Sequence, residues 1–229
     1  SPVSINKTIN EVYIYDSLAY MCSSFGIVAL DVKNELIRAT YIIGNNGEQS
    51  NVRDLEIFEG FLWATTDEGL KRASLDAPNL QNFQFWENIA YPGFPQNQVR
   101  EIEKWEDRLL VALDKEILLY DESNWQSFEA DTASAFFELN ANGERLAFYR
   151  DFNNGPTDIK IYNSITDTSI IETELLSFAT ELELSSNTAI WASDRSSGLL
   201  FFEDVDNQVD NIVPNSPFTD RVFDMQALD

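Results

Sequence analysis

Short runs of apolar and aromatic residues alternate with polar turns along this chain, and helical spacing is almost absent. Leu62-Trp63-Ala64-Thr65-Thr66-Asp67-Glu68-Gly69-Leu70 reads as a strand, a polar turn with glycine and a second strand. The same shape appears at Tyr20-Met21-Cys22-Ser23-Ser24-Phe25-Gly26-Ile27-Val28 and at Ile190-Trp191-Ala192-Ser193 with Ser197-Gly198-Leu199. It returns at Leu109 to Ile117, where Glu116 takes the glycine's place, and more loosely from Leu146 to Tyr149, with a loop lengthened through Asp151-Phe152-Asn153-Asn154-Gly155. Gly26 and Gly198 lie 172 residues apart over four intervals, a mean period of 43.

A first strand precedes each hairpin. Val52-Arg53-Asp54-Leu55-Glu56-Ile57 matches Val99-Arg100-Glu101-Ile102-Glu103-Lys104, with Ile9 to Ile14 and Thr180 to Leu184 at equivalent places. A looser fourth strand follows at Ala39–Ile43, Phe83–Trp86, Trp125–Phe128 and Ser169–Glu172. Four antiparallel strands every 40 to 45 residues predict an all-β fold, a β-propeller of about five blades. The repeats fall near 9–50, 51–97, 98–133, 134–178 and 179–219, and a sixth copy opens at Asp220 with a strand able to close the array. Runs such as Leu109 to Leu113, apolar on both faces, fit a blade packed between neighbours better than a two-layer sandwich. No linker or composition break interrupts the repeats, so one propeller domain, or the propeller portion of a larger protein, is expected.

Composition narrows the chemistry. The chain is 44% hydrophobic and 13% aromatic, enough for a core, and its 15 basic against 39 acidic residues give a net charge of −24. Such a surface repels phosphate backbones, which excludes nucleic acid as a partner. There is no histidine, which removes the usual general base and every Ser-His-Asp constellation. Cys22 aligns with Thr65 on a central strand and reads as a small buried residue. No apolar run reaches the roughly 18 residues of a spanning helix, so direct membrane insertion is not expected. The N-terminus lacks the basic and apolar regions of a signal peptide, and a start at Ser reads as a processed chain or an excised piece.

Among the carboxylates, Glu56, Glu103 and Glu183 occupy matching positions in three repeats, the arrangement a glycosidase-type acid pair would exploit. Their equivalence argues against catalysis, since an acid and a nucleophile need unlike environments. The simpler expectation is solvated strand-face acids or partners for Arg53 and Arg100. Asp151 with Asn153, and Asp204 with Asp206, place oxygen ligands at alternate positions as a calcium loop would, although the same residues also serve tight turns. No catalytic residue and no cofactor is assigned, calcium being the one ion these loops could hold. Trp63 and Trp191 sit mid-strand and read as packing residues. For partner contact the candidates are Tyr91 and Phe94, in the apolar loop Ala90-Tyr91-Pro92-Gly93-Phe94-Pro95, and Trp105, an aromatic ringed by charge.

The Trp-Ala-Thr…Gly-Leu hairpin resembles the blade repeat of two-component-regulator-type propellers. Lys7-Thr8-Ile9-Asn10, Ala19-Tyr20, Phe25 to Asp31 and Thr40-Tyr41-Ile42-Ile43-Gly44-Asn45-Asn46-Gly47 resemble the PorZ family. Leu62 to Thr65, Gly69-Leu70, Ala73, Asn79-Leu80 and Trp86 continue the likeness, as do Pro214 to Pro217 and Val222 to Met225 near the end. That resemblance implies a non-enzymatic cell-surface scaffold, associated with the outer membrane after export, in a type IX secretion and attachment complex of Bacteroidetes-type bacteria. It also implies partners: a sortase-like protease, a shuttle protein and an outer-membrane barrel. Anionic lipopolysaccharide is expected to meet domains outside this stretch, because a net −24 chain repels it unless a divalent cation bridges the two. The rival reading is the periplasmic ligand-sensing propeller of a two-component regulator, and a third is a glycan hydrolase or lyase. From 130 to about 187 the family pattern is weak, so no binding role carries over there.

Overall fold

In a computed structural model the protein is described over residues 8–91, 99–121, 124–152, 157–172, 176–177, 179–185, 189–202 and 209–212. Among these residues twenty strands form five four-stranded antiparallel sheets, each ordered as its strands occur in the chain, and the fold is a five-blade β-propeller. Blade 1 comprises β1 (Ile9–Tyr15), β2 (Leu18–Ser23), β3 (Gly26–Asp31) and β4 (Leu36–Tyr41); blade 2 comprises β5 (Val52–Phe58), β6 (Phe61–Thr66), β7 (Gly69–Ser74) and β8 (Glu87–Asn88). Blade 3 is built from β9 (Glu101–Trp105), β10 (Arg108–Ala112), β11 (Glu116–Asp121) and β12 (Asn124–Ala130). Blade 4 holds β13 (Ser134–Asn142), β14 (Arg145–Phe152), β15 (Asp158–Ser164) and β16 (Asp167–Glu172). Blade 5 holds β17 (Ala179–Leu184), β18 (Ile190–Asp194), β19 (Gly198–Phe202) and β20 (Val209–Ile212). The sixth copy foreseen from Asp220 lies outside the described residues.

The turns explain why the hairpins form. Between first and second strands the chain uses two-residue loops, Asp16-Ser17, Glu59-Gly60, Glu106-Asp107 and Gly143-Glu144. Their first residues all have positive φ: 56°, 50°, 55° and 64°. Such primed turns match the right-handed twist of the flanking strands. Between second and third strands a hydroxyl latch recurs: Ser23 Oγ donates to the Gly26 carbonyl at 2.7 Å and Thr66 Oγ1 to that of Gly69 at 2.7 Å. In blade 5 Asp194 takes the role by accepting from the Ser196 and Ser197 amides. Gly26 is obligatory, since a Cβ there would stand 2.2 Å from the Tyr41 carbonyl oxygen at a φ of +144°.

One element differs from its sequence expectation. Phe83–Phe85 is a 3₁₀ turn, and the fourth strand of blade 2 is the two-residue β8 that follows. Asn82 caps that turn by accepting from the Gln84 amide at 3.1 Å, a local bond that competes with strand pairing.

The chain packs as two compact units, Ser1–Lys104 and Trp105–Asp229. In the first, Tyr20, Cys22, Ile27, Ala29, Tyr41 and Ile43 of blade 1 meet Val52, Leu55, Leu62, Ala64 and Trp86 of blade 2. In the second, one cluster centres on Trp105, Phe136, Phe148 and Tyr162, and another on Tyr149, Ile161, Leu184 and Phe202. Central strands are buried throughout, β6 and β10 after their first residue, whereas the edge strands β12 and β16 are largely exposed. This is the two-sided burial expected of stacked sheets.

Candidate functional site

Three residues before each first turn lies one structurally repeated position, filled by Tyr13, Glu56, Glu103 and Asn140, with Glu183 at the matching place in blade 5. Within the first unit Tyr13 donates its hydroxyl to Glu56 Oε1 at 2.5 Å. Within the second, Asn140 Nδ2 donates to Glu183 Oε2 at 2.6 Å. Both pairs span 43 residues, so each is a tie from one blade to the next.

Glu56 is 7% exposed, which corrects the expectation of a solvated acid. Burial raises its pKa, while the Tyr13 hydroxyl, the Ile57 and Lys104 amides and the Lys104 charge pull it back. Nor is Arg53 its partner: that guanidinium binds Asp67 at 2.5 Å and the Thr66 and Val99 carbonyls. Two residues earlier, Asp54 accepts from the Leu55 and Ile102 amides at 2.6 and 2.8 Å, and burial lifts its pKa well above the carboxylate range. Tyr13 is pushed upward as well, by burial and by Glu56. Asp54 and Glu56 are thus shifted in the same direction and hydrogen-bonded to backbone or phenol. An acid–nucleophile pair would need them shifted apart. Glu103 is half-buried beside Tyr13, whose phenol its charge also raises.

Trp105 lies inside the fold, not on its surface. It is fully buried, its indole donates to the Glu144 carbonyl at 2.9 Å, and its ring packs against Phe128 and Tyr162 with centroids 5.6 and 5.8 Å away. The charged neighbours Glu106 and Asp107 belong to the turn, which carries them off while β9 turns the indole inward. Tyr91 is half-buried; Phe94 lies outside the described residues. Of the calcium candidates, Asp151 is an exposed strand residue opposite Ala135, whereas Asn153, Asp204 and Asp206 lie outside the described residues. Among the described residues no group of three or more acidic or thiol side chains converges as a metal site would. Cys22 is fully buried, and burial raises its thiol pKa. Trp63 is buried and Trp191 half-buried, the latter against Phe201 at 4.5 Å.

Two cavities open on the first unit. One, of about 330 Å³, is lined by Asn45, Lys71, Phe83, Trp86 and Asn88, with Lys71 held by Asn45 and Glu68 at 3.1 and 2.8 Å. The other, of about 360 Å³, is lined by Phe61, Ser74, Asp76, Ala77, Phe85 and Glu87. No sequence motif pointed to either. Both border the 3₁₀ turn that replaces most of a strand.

This architecture is shared. Residues 1–87 match the family model of the PorZ N-terminal β-propeller domain of type IX secretion. The match covers 87 of the 229 residues, the stretch over which the likeness was read from the sequence. The solved PorZ of Porphyromonas gingivalis superposes with a TM-score of 0.68 at 16% identity, over 89% of this chain and 26% of the PorZ chain. The extracellular domain of a one-component system, BT4673 from B. thetaiotaomicron, gives 0.71 at 14% identity over 94% of this chain and 30% of that one. YCF48, solved bound to D1 peptide, gives 0.62 at 11% identity over 87% and 64%. The chain thus spans about a quarter of PorZ, and at these identities the shared property is the fold. No curated protein sequence matches the chain.

Proposed function

We propose that this PorZ-like propeller is a non-enzymatic scaffold of a cell-surface component of a type IX secretion and attachment complex, working outside the cytoplasm. The observation that carries the reading is the match of residues 1–87 to the PorZ propeller domain. Glu56 and Glu183 support it, since each ties its blade to the one before. The partners are a sortase-like protease, a shuttle protein and an outer-membrane barrel. The apolar segment Ala90-Tyr91-Pro92-Gly93-Phe94-Pro95 is one docking element. Anionic lipopolysaccharide binds through other domains, because the −24 charge of this stretch repels it.

The BT4673 likeness, over 94% of the chain, favours a second reading, a ligand-sensing propeller. The coding sequence downstream separates the two: a sandwich domain gives the secretion component, a transmembrane helix and kinase the sensor. The direct test is a cross-linked pull-down on an envelope preparation of the source organism, read by mass spectrometry. Recovery of a sortase-like protease with its shuttle or barrel is the expected result. Recovery of a histidine kinase, or of no envelope protein, overturns the scaffold.

A further inference from the structure

The edge strand of blade 2 is two residues long, against six, seven and six in blades 1, 3 and 4. The 360 Å³ cavity occupies the space a longer strand would cover, above the paired residues Phe61 and Ser74. Its walls are two phenylalanines, of which Phe61 is half-buried and Phe85 is 37% exposed, and its rim carries the carboxylates of Asp76 and Glu87. Phe85 is held in place from both sides. Its amide donates to the Asn82 carbonyl at 3.0 Å, and next to it Trp86 is buried, with its indole bonded to the Leu80 carbonyl at 2.9 Å.

The cavity's ligand chemistry is already displayed by one of the protein's own side chains. The Arg72 guanidinium lies over the Phe61 ring, 4.4 Å from its centroid, and 5.1 Å from that of Trp63, with Nε bonded to Glu87 Oε2 at 3.1 Å. Asp76, by contrast, has no side-chain partner among the described residues. The two rim carboxylates outnumber Arg72, so the neighbourhood keeps one net negative charge. An exposed aromatic wall beside an unpartnered carboxylate suits a second planar cation.

We propose that this cavity receives an arginine side chain from a basic segment of a partner protein, stacking on Phe85 and pairing with Asp76 and Glu87. As a docking point it rests on the scaffold reading; the guanidinium recognition itself does not. The occupant's charge complements a chain of net charge −24.

The test is a titration of the full chain with Ac-Gly-Arg-Gly-NH2, followed by NMR shifts of the phenylalanine ring signals, beside the same peptide with neutral citrulline. Shifts confined to Phe61 and Phe85, produced by arginine and not by citrulline, are expected. Phe85→Ala should weaken binding about fivefold or more, and Asp76→Asn, which cannot disturb packing at an exposed site, by a similar factor. Asp107→Asn, which removes an equal charge from an 87% exposed side chain elsewhere, should leave it unchanged. Equal response to citrulline, shifts scattered over the surface, or equal losses in Asp107→Asn would each overturn the proposal. Peptide binding without envelope partners would sink only the scaffold. Recovery of those partners without peptide binding would sink only the cavity.

Discussion

Glu56 and Glu183 stand at the same place in two blades, one in each compact unit, and each receives a hydrogen bond from a residue 43 positions earlier. The donors differ. Tyr13 gives a single phenolic bond. Asn140 both donates to Glu183 and accepts from the Leu184 amide at 2.9 Å, and Asn142 adds a bond to the Leu184 carbonyl at 3.0 Å. What the fold conserves across these blades is therefore a donor facing an acceptor, and the residue type is free to vary. The amide tie is bidentate and fixes register; the phenol tie adds a ring that covers the carboxylate it binds.

Four substitutions would break or sharpen that contrast. Asn140→Leu should have the largest effect, about 2–3 kcal/mol of stability lost by denaturant titration, because it deprives Glu183 and the Leu184 amide together. Tyr13→Phe keeps the ring and removes one bond, so a loss of about 1–2 kcal/mol is expected. A larger loss from Tyr13→Phe than from Asn140→Leu would show that the phenol is the stronger tie. Glu56→Gln tests the burial of the carboxyl through pH. A carboxyl whose folded pKa is raised stabilises the fold most below the ordinary carboxylate range and loses that contribution as pH rises through the folded value. Thermal scans of the variant should therefore decline less toward neutral pH than those of the unmodified protein.

Asp31 supplies the opposite sign and the smallest effect. Hydrogen bonds from Asn34 and the guanidinium of Arg38 lower its pKa to about 2, so its contribution is present above the usual carboxylate range and fades as pH falls toward that value. Asp31→Asn should lower the melting temperature slightly at neutral pH, where that contribution is present, and flatten the acid limb of the profile.

Most of the fold was legible because its signals are local: a polar turn between two apolar runs, repeated at a steady period. The edge strand of blade 2 was misplaced because Phe83–Phe85 has the aromatic content of a strand, while the Asn82 cap that curls it acts through one side chain. The ties were half legible. Three glutamates at one repeated position were visible, but Tyr13 and Asn140 were not, since matching residue types does not find a donor that faces an acceptor. Counting three residues back from the charged turns Asp16, Glu59 and Glu106 and from Gly143 would have found both donors. Trp105 misled for a related reason. Charged neighbours in sequence surround it, whereas aromatic ones surround it in space.

Each tie also resembles a coupling between railway carriages, with a hook on one blade and an eye at the same place on the next. Because hook and eye occupy the same place in successive repeats of 43 residues, a segment copied in tandem would set like against like, and one residue of each new pair would have to change before the tie formed. Lengthening such a protein by a whole blade therefore takes a duplication and at least one substitution at the new seam.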